Sequence, residues 1–132
     1  MNRTVVQTVA LVLGIVYLAV GVLGFLPFLG GTFGQTPHNF LGFIPLNLLH
    51  NIGHLLFGIG LVAAASDPRR SRSVCQVIGL VLIVTGVLGI FVTNPLGIIP
   101  IGGFDVAIHL VTGAVLAYFG FAAPVEMRRA TA

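Results

Sequence analysis

His50, His54, Asp105 and His109 form two i, i+4 pairs, His-x-x-x-His and Asp-x-x-x-His, each inside a stretch otherwise apolar enough to cross a bilayer. Side chains four apart share one helical face, about 6 Å apart along the axis. Three imidazoles and a carboxylate are a donor set for zinc, copper or iron. A histidine pair at this spacing is also the chelating geometry of HExxH helices, although the rest of that motif is missing. Two further chemistries use the same residues. His54 and His109 could ligate a haem iron from opposite sides, with Gly53, Gly58 and Gly113 leaving room for the macrocycle. Alternatively, His and Asp in a chain could pass protons or ions.

A purely structural reading competes with all three. Asp105 falls in a first helical turn, where a carboxylate caps free N–H groups and favours the positive end of the helix. His50 also falls in a first turn, close to headgroup level. His54 and His109 could bond each other, Asp105 or Asn51 across a helix interface. Both readings stay open on the sequence, and the deeper pair, His54 and His109, carries more of the functional one because ionisable groups at membrane depth are costly.

The elements that must position these residues follow from composition. The chain has 132 residues, 57% hydrophobic and 7% charged, with mean hydropathy +1.11. Soluble domains carry about 25% charged residues, so lipid must cover most of this surface. Four stretches are long enough to span about 30 Å of hydrocarbon: approximately 5–26, 46–65, 74–92 and 104–123. The expectation is an all-α integral membrane four-helix bundle forming a single domain over 1–132. Arg3, Arg69, Arg70, Arg72, Arg128 and Arg129 all fall at the N-terminus, the middle connection or the C-terminus. None lies in 27–45 or 93–103, which places both termini in the cytoplasm. These arginines account for the pI near 10 without nucleic acid, and they suit anionic lipid headgroups. The first span offers no small-x-small cleavage site, so it reads as retained.

The chain also matches itself. Val12-Leu13-Gly14-Ile15-Val16 and Gly21-Val22-Leu23-Gly24 recur as Val77-Ile78-Gly79-Leu80-Val81 and Gly86-Val87-Leu88-Gly89. Leu41-Gly42-Phe43-Ile44-Pro45 recurs as Leu96-Gly97-Ile98-Ile99-Pro100, with Asn39 on Asn94, His54 on His109, Gly58 on Gly113 and His50 on Asp105. Two tandem two-helix repeats, 5–65 and 74–123, are expected, the first with a longer loop around 30–38. Asn47 is the expected N-cap of the second helix and Gly102 or Gly103 that of the fourth. Gly113-x-x-x-Ala117 offers a face for close packing.

Other polar residues read more blandly. His38 sits in an exposed loop, Gln7 and Gln76 at interfacial helix ends, Asp67 with Arg69 and Arg70 in a solvated loop, and Cys75 as a small packing residue. No nucleophile–base pair, phosphate loop or dinucleotide fingerprint is present, so no enzyme activity is expected. The stretch Leu41 to Leu56, with its Asn47-x-x-His50-Asn51-x-x-His54 block followed by Gly58, resembles the signature of a family of small bacterial membrane proteins, domain of unknown function 4383. That resemblance implies four helices, an actinobacterial setting and weight on Asn47, His50, Asn51 and His54, and no substrate. The expected role is an accessory or structural protein of the bacterial inner membrane, alone, as a homo-oligomer or within a complex. The alternative is a metal- or haem-binding membrane protein.

Overall fold

The computed structural model describes residues 3–122, so Arg128 and Arg129 lie outside the described residues. Four helices carry the fold: α1 (Val5–Leu23), α2 (Leu48–Ala64), α3 (Pro68–Phe91) and α4 (Phe104–Ala122). Three of them, α1, α3 and α4, are long and apolar enough to cross a membrane. α2 is 17 residues, shorter than the expected 46–65, because the chain before it is extended and Asn47 caps it. At 1.5 Å per residue it still covers about 25 Å.

The middle connection differs from expectation. Asp67 accepts from the Arg70 N–H at 2.9 Å and Pro68 occupies the first helical position, so α3 starts at Pro68 rather than near Val74. Arg69, Arg70 and Arg72 are therefore helical, and Asp67 is an N-cap rather than part of a solvated loop. The Asp-Pro pair was a readable start signal, since proline has no N–H to lose at that position.

α1 packs closely on α2 and α3 on α4, whereas α2 and α4 have little backbone contact. Glycine seams explain the two tight pairs. A Cβ on Gly58 would lie 2.7 Å from the Leu18 nitrogen, and one on Gly113 would lie 2.9 Å from the Ile83 nitrogen. Gly14 meets Leu61 and Val62, while Gly79 meets Ala117; Gly21 meets Leu55, while Gly86 meets Leu110. Without side chains at these points the helices touch backbone to backbone, which is how apolar helices gain contact in lipid. Between the pairs lies a buried core that includes Val6, Ala10, Tyr17, Leu61, Cys75, Ile78, Leu82 and Leu116. Cys75 is packing there, as expected.

The end of the bundle that holds the α2–α3 connection is stapled by side chains. Gln7 donates to the Ala65 carbonyl at 3.0 Å, Gln76 to Gly120 at 2.8 Å and Arg72 to Phe121 at 3.0 Å. Gln7 is buried and completes a capping box with Thr4, so it does more than sit at an interface.

At the opposite end, β1 (His38–Phe40) and β2 (Ile44–Leu46) pair as a hairpin through Leu41 and Gly42, whose φ values are 52° and 83°. Two positive φ angles are what a tight hairpin turn requires. Leu96 and Gly97 repeat that turn with φ of 57° and 69°. No strand forms around it, because Pro95 stands where Phe40 does and has no N–H for a ladder. Asn51, fully buried, donates to the carbonyls of Gly24 at 2.7 Å and Thr32 at 3.2 Å, tying α2 to the end of α1. It thus spends its amide on backbone and not on a histidine. Asn51→Ala is expected to cost about 2 kcal/mol, because buried carbonyls lose their donor; thermal unfolding in detergent would read the loss.

Candidate metal centre

Two helix starts aim the four residues inward. Asn47 caps α2 by accepting from the His50 N–H at 2.9 Å, which sets His50 in the first turn and His54 one turn deeper on the same face. On α4, Asp105 occupies the first turn and His109 the next. All four converge in the space between α2 and α4, with exposures of only 4% (His50), 5% (His54), 1% (Asp105) and 4% (His109). Ring centroids are 4.6 Å apart for His50 and His54, 5.6 Å for His50 and His109, and 6.2 Å for His54 and His109. One ring nitrogen from each histidine lies within 4.8 Å of the other two. Among the described residues this is the one such cluster of histidine, cysteine and acidic side chains.

Asp105 plays a different part from the three imidazoles. Its Oδ1 lies 3.2 Å from His109 Nδ1, and its own backbone carbonyl lies 2.9 Å from the same nitrogen. Two acceptors on Nδ1 require that nitrogen to carry the proton, which leaves the Nε2 lone pair of His109 free. Oδ2 lies 3.9 Å from His50 Nε2 and has no hydrogen-bond partner among the described residues. The carboxylate therefore orients His109. A carboxylate or carbonyl behind a ligating histidine is the usual support of a metal site.

Much of the cluster's bonding capacity is unused. Both ring nitrogens of His50 and Nδ1 of His54 are buried without a hydrogen-bond partner. The carbonyls of Pro45 and Pro100 approach His50 without completing a bond of good geometry. Of the partners that the structural reading offered His54 and His109, Asp105 is found on His109, and the two histidines do not bond each other.

The surroundings close the site on both sides. Towards the bundle centre, Tyr17 sets its ring edge against His54 at 5.3 Å, and its hydroxyl bonds Thr112 Oγ1 at 2.7 Å. Towards the loops, Asn47 Nδ2 donates to Ile98 O at 2.7 Å and Gln35 O at 3.2 Å, while Gln35 Nε2 also reaches Ile98 O at 3.1 Å. Sequence reasoning missed this latch and the Tyr17–Thr112 plug. A tyrosine in the middle of an apolar span was the available signal for the second. Nothing local announced the first, since its partners are backbone carbonyls of distant loops. His38 lies exposed on β1, away from the buried cluster.

Of the three glycines expected to leave room for a macrocycle, Gly53 is open, with nothing within 4 Å of a Cβ there, and the other two are closed. Gly58 is filled by α1 and Gly113 by α3, as described above. His50 is 4.6 Å from one ring of the His54–His109 pair and 5.6 Å from the other, close to the midplane a haem would have to occupy. The geometry suits a small ion.

No curated protein and no solved structure matches the chain. A family model, Domain of unknown function (DUF4383), matches residues 7–122 and covers every residue of the cluster and its supports. The chain belongs to this family of unknown function.

Proposed function

We propose that the protein is a non-enzymatic integral membrane protein that holds one transition-metal ion, zinc, copper or iron, on His50, His54 and His109, with Asp105 positioning His109. The observation that carries this reading is the set of buried, converging and unpartnered polar atoms: both nitrogens of His50, Nδ1 of His54 and Oδ2 of Asp105. Each buried polar atom left without a bond costs about 1–3 kcal/mol. A cluster kept only as polar glue would satisfy its members, because a half-satisfied network is worse than an apolar core. An ion removes the deficit at once. Three neutral nitrogen donors leave a further coordination position, as in open zinc sites, and Asp105 Oδ2 is available to it or to a water held there.

A conducting path is less well supported. Leu61, Leu82 and Leu116, all fully buried, fill the bundle on the far side of Tyr17. Ions or protons would meet a dry core there.

The two halves are best read as a duplicated two-helix unit. Support comes from the paired glycine seams and from the Leu41-Gly42 and Leu96-Gly97 turns, which fall at the same offsets as the sequence matches. The centre then lies where two copies of one unit meet. Arg3, Arg69, Arg70 and Arg72 mark the opposite end. Their placement supports a bacterial inner-membrane protein with that end and both termini cytoplasmic and the metal centre near the outer face. A role as a subunit of a larger complex fits its small extramembrane parts.

Protein purified in detergent and stripped with chelator is expected to bind one Zn²⁺, Co²⁺ or Cu²⁺ per chain, with visible ligand-field bands for Co²⁺. Added haem is expected to give no shifted Soret band. Failure of every ion to bind stoichiometrically would remove the reading.

A further inference from the structure

An ion held by the four buried residues needs a way in, and the fold favours one end. The lipid around the helices is a poor medium for a cation. Beyond His54, Tyr17 and the buried Leu61, Leu82 and Leu116 fill the bundle. The loop end remains. Its two connections, 27–45 and 93–103, contain no arginine, lysine, aspartate or glutamate, whereas Arg3, Arg69, Arg70 and Arg72 belong to the opposite end. A cation arriving at the loops therefore meets no fixed like charge.

Two kinds of contact close that end. One is apolar: Phe43 of the hairpin turn meets Phe104 edge to face at 5.5 Å, and Ile108 packs against the cluster of Phe40, Ile44 and Leu46. The other is polar and ends on a single atom. The Ile98 carbonyl oxygen accepts from Asn47 Nδ2 at 2.7 Å and from Gln35 Nε2 at 3.1 Å, which joins the loop of the second half to the first. The neck of that loop is tied, since the Ile101 N–H donates to the Thr93 carbonyl at 2.7 Å. Its tip is loosely packed: Leu96 is exposed, and a Cβ on Gly97 would meet nothing within 4 Å.

Asn47 connects this latch to the cluster. Its Oδ1 accepts the His50 N–H at 2.9 Å while its Nδ2 holds Ile98. Pro100, at the end of the same loop, brings its carbonyl close to His50. We infer that the 93–101 loop is the gate of the metal centre, and that ions enter and leave past Ile98 when Gln35 and Asn47 release its carbonyl. The inference rests on the metal reading of the cluster. Gln35 is exposed and is not a ligand, so it is the part of the latch that can be removed without touching the site. Loading and release both wait for the loop to open, as with other lids. A weaker latch therefore speeds both by the same factor and leaves affinity unchanged.

The test is stopped-flow mixing in detergent, of stripped protein with Co²⁺ and of Co²⁺-loaded protein with excess EDTA, followed by the ligand-field bands. Gln35→Ala is expected to raise both rates about fivefold, the factor that one ordinary hydrogen bond gives, with the affinity and the unfolding midpoint unchanged. Phe43→Ala loosens the apolar contact instead and is expected to leave both rates as they are. Rates in Gln35→Ala equal to wild type, or a change in one rate with a matching change in affinity, would overturn the gate. Faster exchange in Phe43→Ala than in Gln35→Ala would also overturn it, by putting the entrance at the hairpin. A wild-type protein that takes up no Co²⁺ is a separate failure, which would remove the metal reading itself.

Discussion

His54→Leu is expected to weaken metal binding by about 10²-fold or more, because it removes one of three donors, while leaving the metal-free protein as stable or more stable by about 1 kcal/mol. The two halves of this expectation separate the metal reading from a structural one. His54 is buried, its Nδ1 has no partner, and its ring touches Tyr17 and His50. Leucine of similar volume keeps that packing and removes the unpartnered nitrogen. If His54 served as polar glue, its loss would destabilise the metal-free fold and leave metal content indifferent. Competition titration against a chromophoric chelator gives the affinity, and thermal unfolding of the stripped protein gives the stability. A destabilised variant with unchanged affinity would contradict the assignment.

Gly58→Leu is expected to cost about 3 kcal/mol or more, since inserted atoms in a closed seam force helices apart. The side chain would have to enter the space of Leu18 and the Gly14 carbonyl on α1, and the second of these is backbone that cannot turn away. Gly113→Leu should behave alike against Ile83 and the Gly79 carbonyl on α3. Gly53 supplies the contrast, because a Cβ there meets nothing within 4 Å. Gly53→Ala is therefore expected to stabilise α2 by up to about 1 kcal/mol through helix propensity alone. Unfolding midpoints in one detergent would rank the three, and a Gly58→Leu variant as stable as Gly53→Ala would show that the α1–α2 seam is not closed.

Much of this was written in local pattern. Long apolar runs gave the helices, the i, i+4 spacing put His50 with His54 and Asp105 with His109, and Asn47 announced the start of α2. The resemblance through Asn47, His50, Asn51 and His54 pointed to the family that the model match bears out. What stayed hidden depended on distant partners. The Asp67-Pro68 start of α3 was legible but was outweighed by the three arginines, which made the stretch look like a loop. The hairpin at 38–46 needed pairing across a turn whose leucine adopts a positive φ, a cost that no propensity reveals. Asn51 looked like a partner for histidine and instead holds the carbonyls of Gly24, at the end of α1, and of Thr32 in the loop after it. Asp105 reads from the sequence as a fourth ligand or a cap; only its 3.2 Å distance to His109 Nδ1 shows that it also orients that imidazole.

The central claim is that three imidazoles from two helices share one ion. X-ray absorption at the metal edge of the loaded protein tests it most directly. The account predicts a first shell of nitrogen and oxygen at about 2.0–2.1 Å for zinc, with the multiple scattering of three imidazoles, reduced to two in His54→Leu. A loaded metal with no imidazole scattering, or the same spectrum in wild type and His54→Leu, would contradict it.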